Sequence, residues 1–121
     1  MTEIQRNKIY DLEERTYKFA RNTADFCKEL PKTMSNREYV KQVIRSSGSV
    51  GANYIEANEA LSKKDFVMRI KICRKEAKES VYWLRLIGDT NHDKFNKEGK
   101  TLAGEAAELK KIFSAILEKS K

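Results

Sequence analysis

The chain has 121 residues, 40% hydrophobic and 36% charged, with five Gly, one Pro and a net charge of +7. Such a length supports one domain around a single core, and the composition resembles a helical bundle more than a sheet protein. No segment alternates long enough for a convincing strand, the N-terminus lacks an apolar signal core, and no apolar run approaches the roughly 18 residues of a membrane span. The expectation is therefore a single cytoplasmic domain over residues 1–121 with no membrane partner. Cys27 and Cys73 fall on apolar stripes and read as reduced core thiols.

The first helix is expected over residues 9–30. Its stripe of Ile9, Leu12, Thr16, Phe19, Thr23, Phe26 and Leu30 alternates steps of three and four, the a/d seam of a heptad. Pro31 ends it, because proline disfavours helical geometry in the residue before it. The second helix is expected from Ser35 to Ala60, opened by a capping box of Ser35 and Glu38. Val40, Ile44, Ser47, Gly51, Tyr54 and Asn58 would form one face of it. Residues 45–51 hold two Gly and three Ser. Gly is roughly 1 kcal/mol worse than Ala inside a helix, so close approach of another helix or chain is expected there.

A short link at Leu61–Ser62 forces the second and third helices to be antiparallel neighbours. The third is expected from Lys63 to Ile87, capped by Ser62 with Asp65 and stopped by Gly88. Its core stripe is Phe66, Ile70, Cys73, Ala77, Val81 and Leu84, with Trp83 and Ile87 on the shoulder. Residues 89–97 read as a polar turn. The fourth helix is expected from Glu98 to Lys119, with Leu102, Ala106, Leu109, Phe113 and Ile116 inward and Ile112 and Leu117 beside them. Four such helices make an all-α, antiparallel up-down-up-down four-helix bundle.

The charge is unevenly spread. Residues 63–88 carry eight cations against three carboxylates. Lys64, Lys71, Lys78 and Arg85 recur every seventh residue, and Lys75 joins the row they form. The row lies roughly opposite the core stripe, so it faces outward. A cationic row about 30 Å long can follow a phosphate backbone, and it can equally be a solvated face. Tyr82 lies in the row, where it could stack on a base or serve an interface.

Polar residues also fall near buried faces. Glu76 lies beside the core stripe of the third helix, while Arg45, Asn53 and Glu56 flank the small-residue patch of the second. A buried carboxylate must be paired or protonated. A network of Arg45, Asn53, Glu56 and Glu76 is expected, with Arg45 facing a Glu and Asn53 bonding across the seam. Di-iron bundles need Glu-x-x-His on two helices. Here Glu56-x-x-Glu59 and Glu76-x-x-Glu79 occur, but the one histidine, His92, falls in the polar turn. Phosphate-loop, dinucleotide and Cys-x-x-Cys motifs are missing. The expectation is no catalytic residue, no metal and no cofactor.

Two stretches are similar to a known family. Residues 46–57, SSGSVGANYIEA, and residues 75–86, KEAKESVYWLRL, resemble the second- and third-helix signatures of bacterial four-helix bundle proteins, also called 23S rRNA intervening-sequence proteins. Ala57 stands where many members have Gly, which implies a less tightly packed end to the second helix. The resemblance implies an antiparallel bundle assembling as a homopentamer. It also implies a distant likeness to the accessory variability protein of diversity-generating retroelements, a basic barrel that binds nucleic acid. The leading expectation is a non-enzymatic homo-oligomeric scaffold binding RNA or DNA through Lys64, Lys71, Lys75, Lys78 and Arg85. Two rivals stay open: a protein-interaction module with no nucleic-acid role, and an enzyme with an inter-subunit site near Glu56 and Glu76.

Overall fold

The computed structural model describes the backbone of residues 3–121 and the side chains from Leu12 onward. Ile9, the first member of the expected stripe, lies outside the described side chains. Helices α1 (Glu3–Glu29), α2 (Met34–Asn58), α3 (Lys63–Thr90) and α4 (Asp93–Lys119) follow one another as an all-α four-helix bundle, with no strand among the described residues. The links are two to four residues long, which forces each helix to turn back on the one before it.

Phe19 and Phe26 of α1, Val43 and Val50 of α2, Ile70, Leu84 and Ile87 of α3, and Leu109 and Phe113 of α4 are fully buried. Phe26 meets Phe95 edge-on at 6.3 Å, and Tyr54 meets Phe113 at 6.0 Å. Between α1 and α4, Arg15 donates twice to Glu105, through Nε and NH2, each at 2.8 Å. Burial pushes the thiols of Cys27 and Cys73 up, to about 11 and about 12, so neither is a thiolate near neutral pH.

Several boundaries differ from the sequence expectation. Helix α2 is capped by Thr33, whose hydroxyl accepts from the Asn36 N–H at 3.1 Å, and Ser35 lies inside the helix. Its buried face is Asn36, Val43, Ser46, Ser47, Val50, Tyr54 and Ala57, with Ile44 turned to solvent. The expected stripe traced the edge that borders α1. Gly51 sits on this edge because a Cβ there would come within 3.0 Å of Thr16 Oγ1. A Cβ on Gly48 would meet nothing within 4 Å.

Gly88 does not stop α3. It lies buried inside the helix, where α3 and α4 approach closely: a Cβ on Gly99 would be 3.2 Å from the Gly88 Cα and 3.2 Å from the Leu84 carbonyl oxygen. Residues 89–97 are mostly helical, and α4 begins at Asp93. Phe95 extends the α4 stripe by two turns, through Gly99 to Leu102, and its ring is buried against Phe26. At this end the first turn of α2 is tied to the α3–α4 link by a reciprocal amide pair. Asn36 Nδ2 donates to Asn91 Oδ1 at 2.9 Å, and Asn91 Nδ2 donates to Asn36 Oδ1 at 3.0 Å. Ser62 caps α3 as expected, accepting from the Asp65 N–H at 3.1 Å.

Candidate functional site

The α2–α3 seam carries a ladder of polar contacts. The hydroxyls of Ser46 and Ser80 bond at 2.8 Å, and Ser80 also donates to the Glu76 carbonyl at 2.9 Å. Serine at these two positions lets the helices approach closely, and the hydroxyl pair satisfies both buried groups. The Cys73 thiol donates to the Val50 carbonyl at 3.4 Å.

Outside this buried step, Arg45 bridges two carboxylates. Its NH1 donates to Glu76 Oε2 at 2.8 Å and its NH2 to Glu79 Oε2. The Glu76 side chain is 8% exposed and that of Arg45 50%, so the pair has one foot in the core and one in water. The Trp83 indole N–H donates to Glu79 at 3.0 Å, one helical turn on. Burial pushes the Glu79 carboxyl up, but the Trp83 donor and the Arg45 guanidinium, with Lys75 nearby, outweigh it and hold the group below the usual carboxylate range. The Arg45 guanidinium is correspondingly held charged, by Glu79 first and Glu76 second.

Farther along the seam, Asn53 Nδ2 donates to the Ser49 carbonyl at 2.9 Å, and Asn53 Oδ1 accepts from Arg69 NH1 at 2.9 Å. Of the four residues expected in one network, the structure thus joins Arg45 to Glu76 and puts Asn53 on a separate arginine. Glu56 is exposed and stands outside the network, because its place on α2 points past the seam to water. Glu79, Trp83, Ser80 and Arg69 complete the ladder and lie outside the network expected from the sequence. The i, i+4 spacing of Glu79 and Trp83 was the available signal.

This ladder consumes two arginines and leaves the outer face of α3 to lysines. Lys64, Lys71, Lys75, Lys78 and Arg85 are all exposed. Among the described residues none of the five lies in a salt bridge, whereas Arg15 and Arg45 do. From Lys64 to Arg85 the row runs about 30 Å at 1.5 Å per residue. Tyr82 stands within it, 60% exposed, its ring edge-on to Trp83 at 4.9 Å. Trp83 in turn lies against Tyr39 at 6.2 Å. No cluster of three or more His, Cys, Asp or Glu suited to a metal is present among the described residues. No helix among them is long and apolar enough to cross a membrane.

A solved structure of a protein of unknown function from the S23 ribosomal protein family of Bacteroides thetaiotaomicron superposes with a TM-score of 0.78 at 28% identity, covering 92% of this chain and 98% of that one. No curated protein is significantly similar to the chain. The sequence matches the 23S rRNA-intervening sequence proteins over residues 8–115. The chain therefore belongs to the 23S rRNA-intervening sequence protein family.

Proposed function

We propose that the protein is a non-enzymatic, homo-oligomeric helical scaffold that holds the phosphate backbone of RNA or DNA along α3. The observation that carries this reading is the row of Lys64, Lys71, Lys75, Lys78 and Arg85, exposed on one face and in no salt bridge among the described residues. Such a row contacts phosphates without reading sequence. Tyr82 offers a stacking surface between Lys78 and Arg85. Repetition of the row by symmetry in an assembly would multiply its field.

Support for self-association comes from α2 and α1. Ile44, Gly48, Gly51 and Ile55 follow one another at helical spacing along α2, and both isoleucines are exposed. Tyr17 of α1, next to the Thr16 that meets Gly51, is exposed as well. The resemblance to the family's pentameric members supplies the ring size.

The test is binding of labelled single-stranded RNA and duplex DNA to the wild type and to a variant carrying Lys71→Glu, Lys75→Glu and Lys78→Glu. Loss of three phosphate contacts reduces the slope of log affinity against log salt by about 2 to 3. Unchanged affinity at low salt would refute the reading.

A further inference from the structure

The two ends of the α3 row differ in chemistry. Around Lys75, Lys78 and Arg85 the face is polar and aromatic. At the α2–α3 end the lysines instead frame apolar side chains. Lys63, Lys64, Val67, Met68 and Lys71 line a surface hollow of about 510 Å³. Met68 is 53% exposed, and Leu61, seven residues earlier, is 96% exposed. Val67 is partly buried and rests on the core. Residues 61–75 contain six cations and one acid, Asp65.

Lys64, Val67, Met68 and Lys71 stand at i, i+3, i+4 and i+7. Four residues so spaced form the hole that receives a knob side chain from a second helix. Its floor here is apolar and two of its corners are ammonium groups. Lysines beside an apolar seam select a partner helix by charge, as flanking positions do in coiled coils. A phosphate backbone has no apolar group to cover Met68, Val67 and Leu61. A bilayer surface has no single projecting side chain to enter the hollow. A helix with a Leu or Ile knob and flanking carboxylates meets both demands.

We propose that this end of α3 docks an acidic amphipathic helix of a partner protein. An aliphatic side chain sits among Lys64, Val67, Met68 and Lys71, and flanking Asp or Glu residues lie on Lys63, Lys64 and Lys71. The site shares Lys64 and Lys71 with the nucleic-acid row but does not depend on it.

The experiment uses the full chain and a fluorescein-labelled synthetic peptide of about five helical turns, with Leu on one face and Glu flanking it. Polyglutamate, a single-stranded RNA and phosphatidylcholine/phosphatidylserine vesicles are run beside it. The peptide is expected to bind more tightly than polyglutamate. Met68→Ser, which removes apolar surface from an exposed position, weakens the peptide about tenfold and leaves polyglutamate unaffected. The pair Lys64→Gln with Lys71→Gln weakens the peptide by a similar factor. The pair Lys78→Glu with Arg85→Glu lowers RNA affinity and leaves the peptide unchanged, so this proposal and the nucleic-acid reading can fail separately. Equal peptide affinity in wild type and Met68→Ser overturns the proposal. So does equal affinity for polyglutamate, or binding of the vesicles in a Met68-dependent manner without binding of the peptide.

Discussion

Alanine at Gly99 and alanine at Gly48 should move stability in opposite directions, although both replace a glycine inside a helix. On helix propensity alone each would gain about 1 kcal/mol. At Gly99 the new Cβ would stand 3.2 Å from the Gly88 Cα, 3.2 Å from the Leu84 carbonyl oxygen and 3.5 Å from the Gly88 nitrogen. Ordinary carbon contacts lie at about 3.5–4.0 Å, and every atom met here belongs to backbone, which cannot rotate away. The two helices must part by several tenths of an ångström along a seam packed with Leu84, Ile87 and Leu102. Overpacking of this kind is worth about 1–3 kcal/mol, so the net change is a loss of about 1 kcal/mol. At Gly48 nothing lies within 4 Å, and the propensity gain of about 1 kcal/mol survives intact. The two variants should therefore differ by about 2 kcal/mol, or roughly 8 °C in midpoint for a chain of this size. Thermal and urea denaturation followed by circular dichroism, at low protein concentration, measures the difference. Equal shifts for the two alanines, or a higher midpoint for Gly99→Ala, would refute the close approach of α3 and α4.

Thr23 is fully buried and its hydroxyl has no hydrogen-bond partner among the described residues. Thr23→Val keeps the shape and removes that group, and should raise stability by about 1 kcal/mol in urea titration. Asn36→Ala strips Asn91 Oδ1 of its donor, while Asn91 Nδ2 keeps the Ile87 carbonyl and the Pro31 carbonyl keeps the Thr33 N–H, so a loss of about 1–2 kcal/mol is expected by the same assay. The Glu79 carboxyl is depressed in the folded state by Trp83 and Arg45 against the upward push of burial. Its contribution is present above the unfolded carboxylate value of about 4.3 and is lost as pH falls through the lower folded value. Urea midpoints of wild type and Glu79→Gln should thus differ at neutral pH and converge in acid; a constant gap would contradict the assignment.

The helices were legible because their seams repeat. The heptad of Leu12, Thr16, Phe19, Thr23 and Phe26, and that of Ile70, Cys73, Ala77 and Leu84, leave little room for another periodicity. The Ser62 cap was legible because it is local. Gly88 was misread as a helix stop, since a glycine that stops a helix and a glycine that admits a neighbour are the same residue. Only the backbone lying against it decides, and that backbone comes from another helix. The earlier start of α4 did have a signal: Phe95, Gly99, Leu102, Ala106, Leu109 and Phe113 keep steps of four and three throughout. On α2 the small residues drew attention to the edge near α1, while the apolar centre at Val43, Val50 and Ala57 set the orientation.

At the candidate site, the lysine row was legible because it lies on one helix and needs no partner. The polar ladder was only half legible. Arg45 and Glu76 lie on different helices, and their union follows from the α2–α3 register. Glu56 looked equivalent to Glu76 in sequence but faces water. The Asn36–Asn91 pair joins residues 55 positions apart, and no local pattern announces it.

The most direct test of the scaffold reading is size-exclusion chromatography with light scattering, with and without mixed RNA, at low and moderate salt. The account predicts an oligomer that shifts with RNA at low salt, loses the shift as salt rises, and does not shift when Lys71, Lys75 and Lys78 are reversed to Glu. A monomer, or an oligomer indifferent to RNA even at low salt, would contradict it.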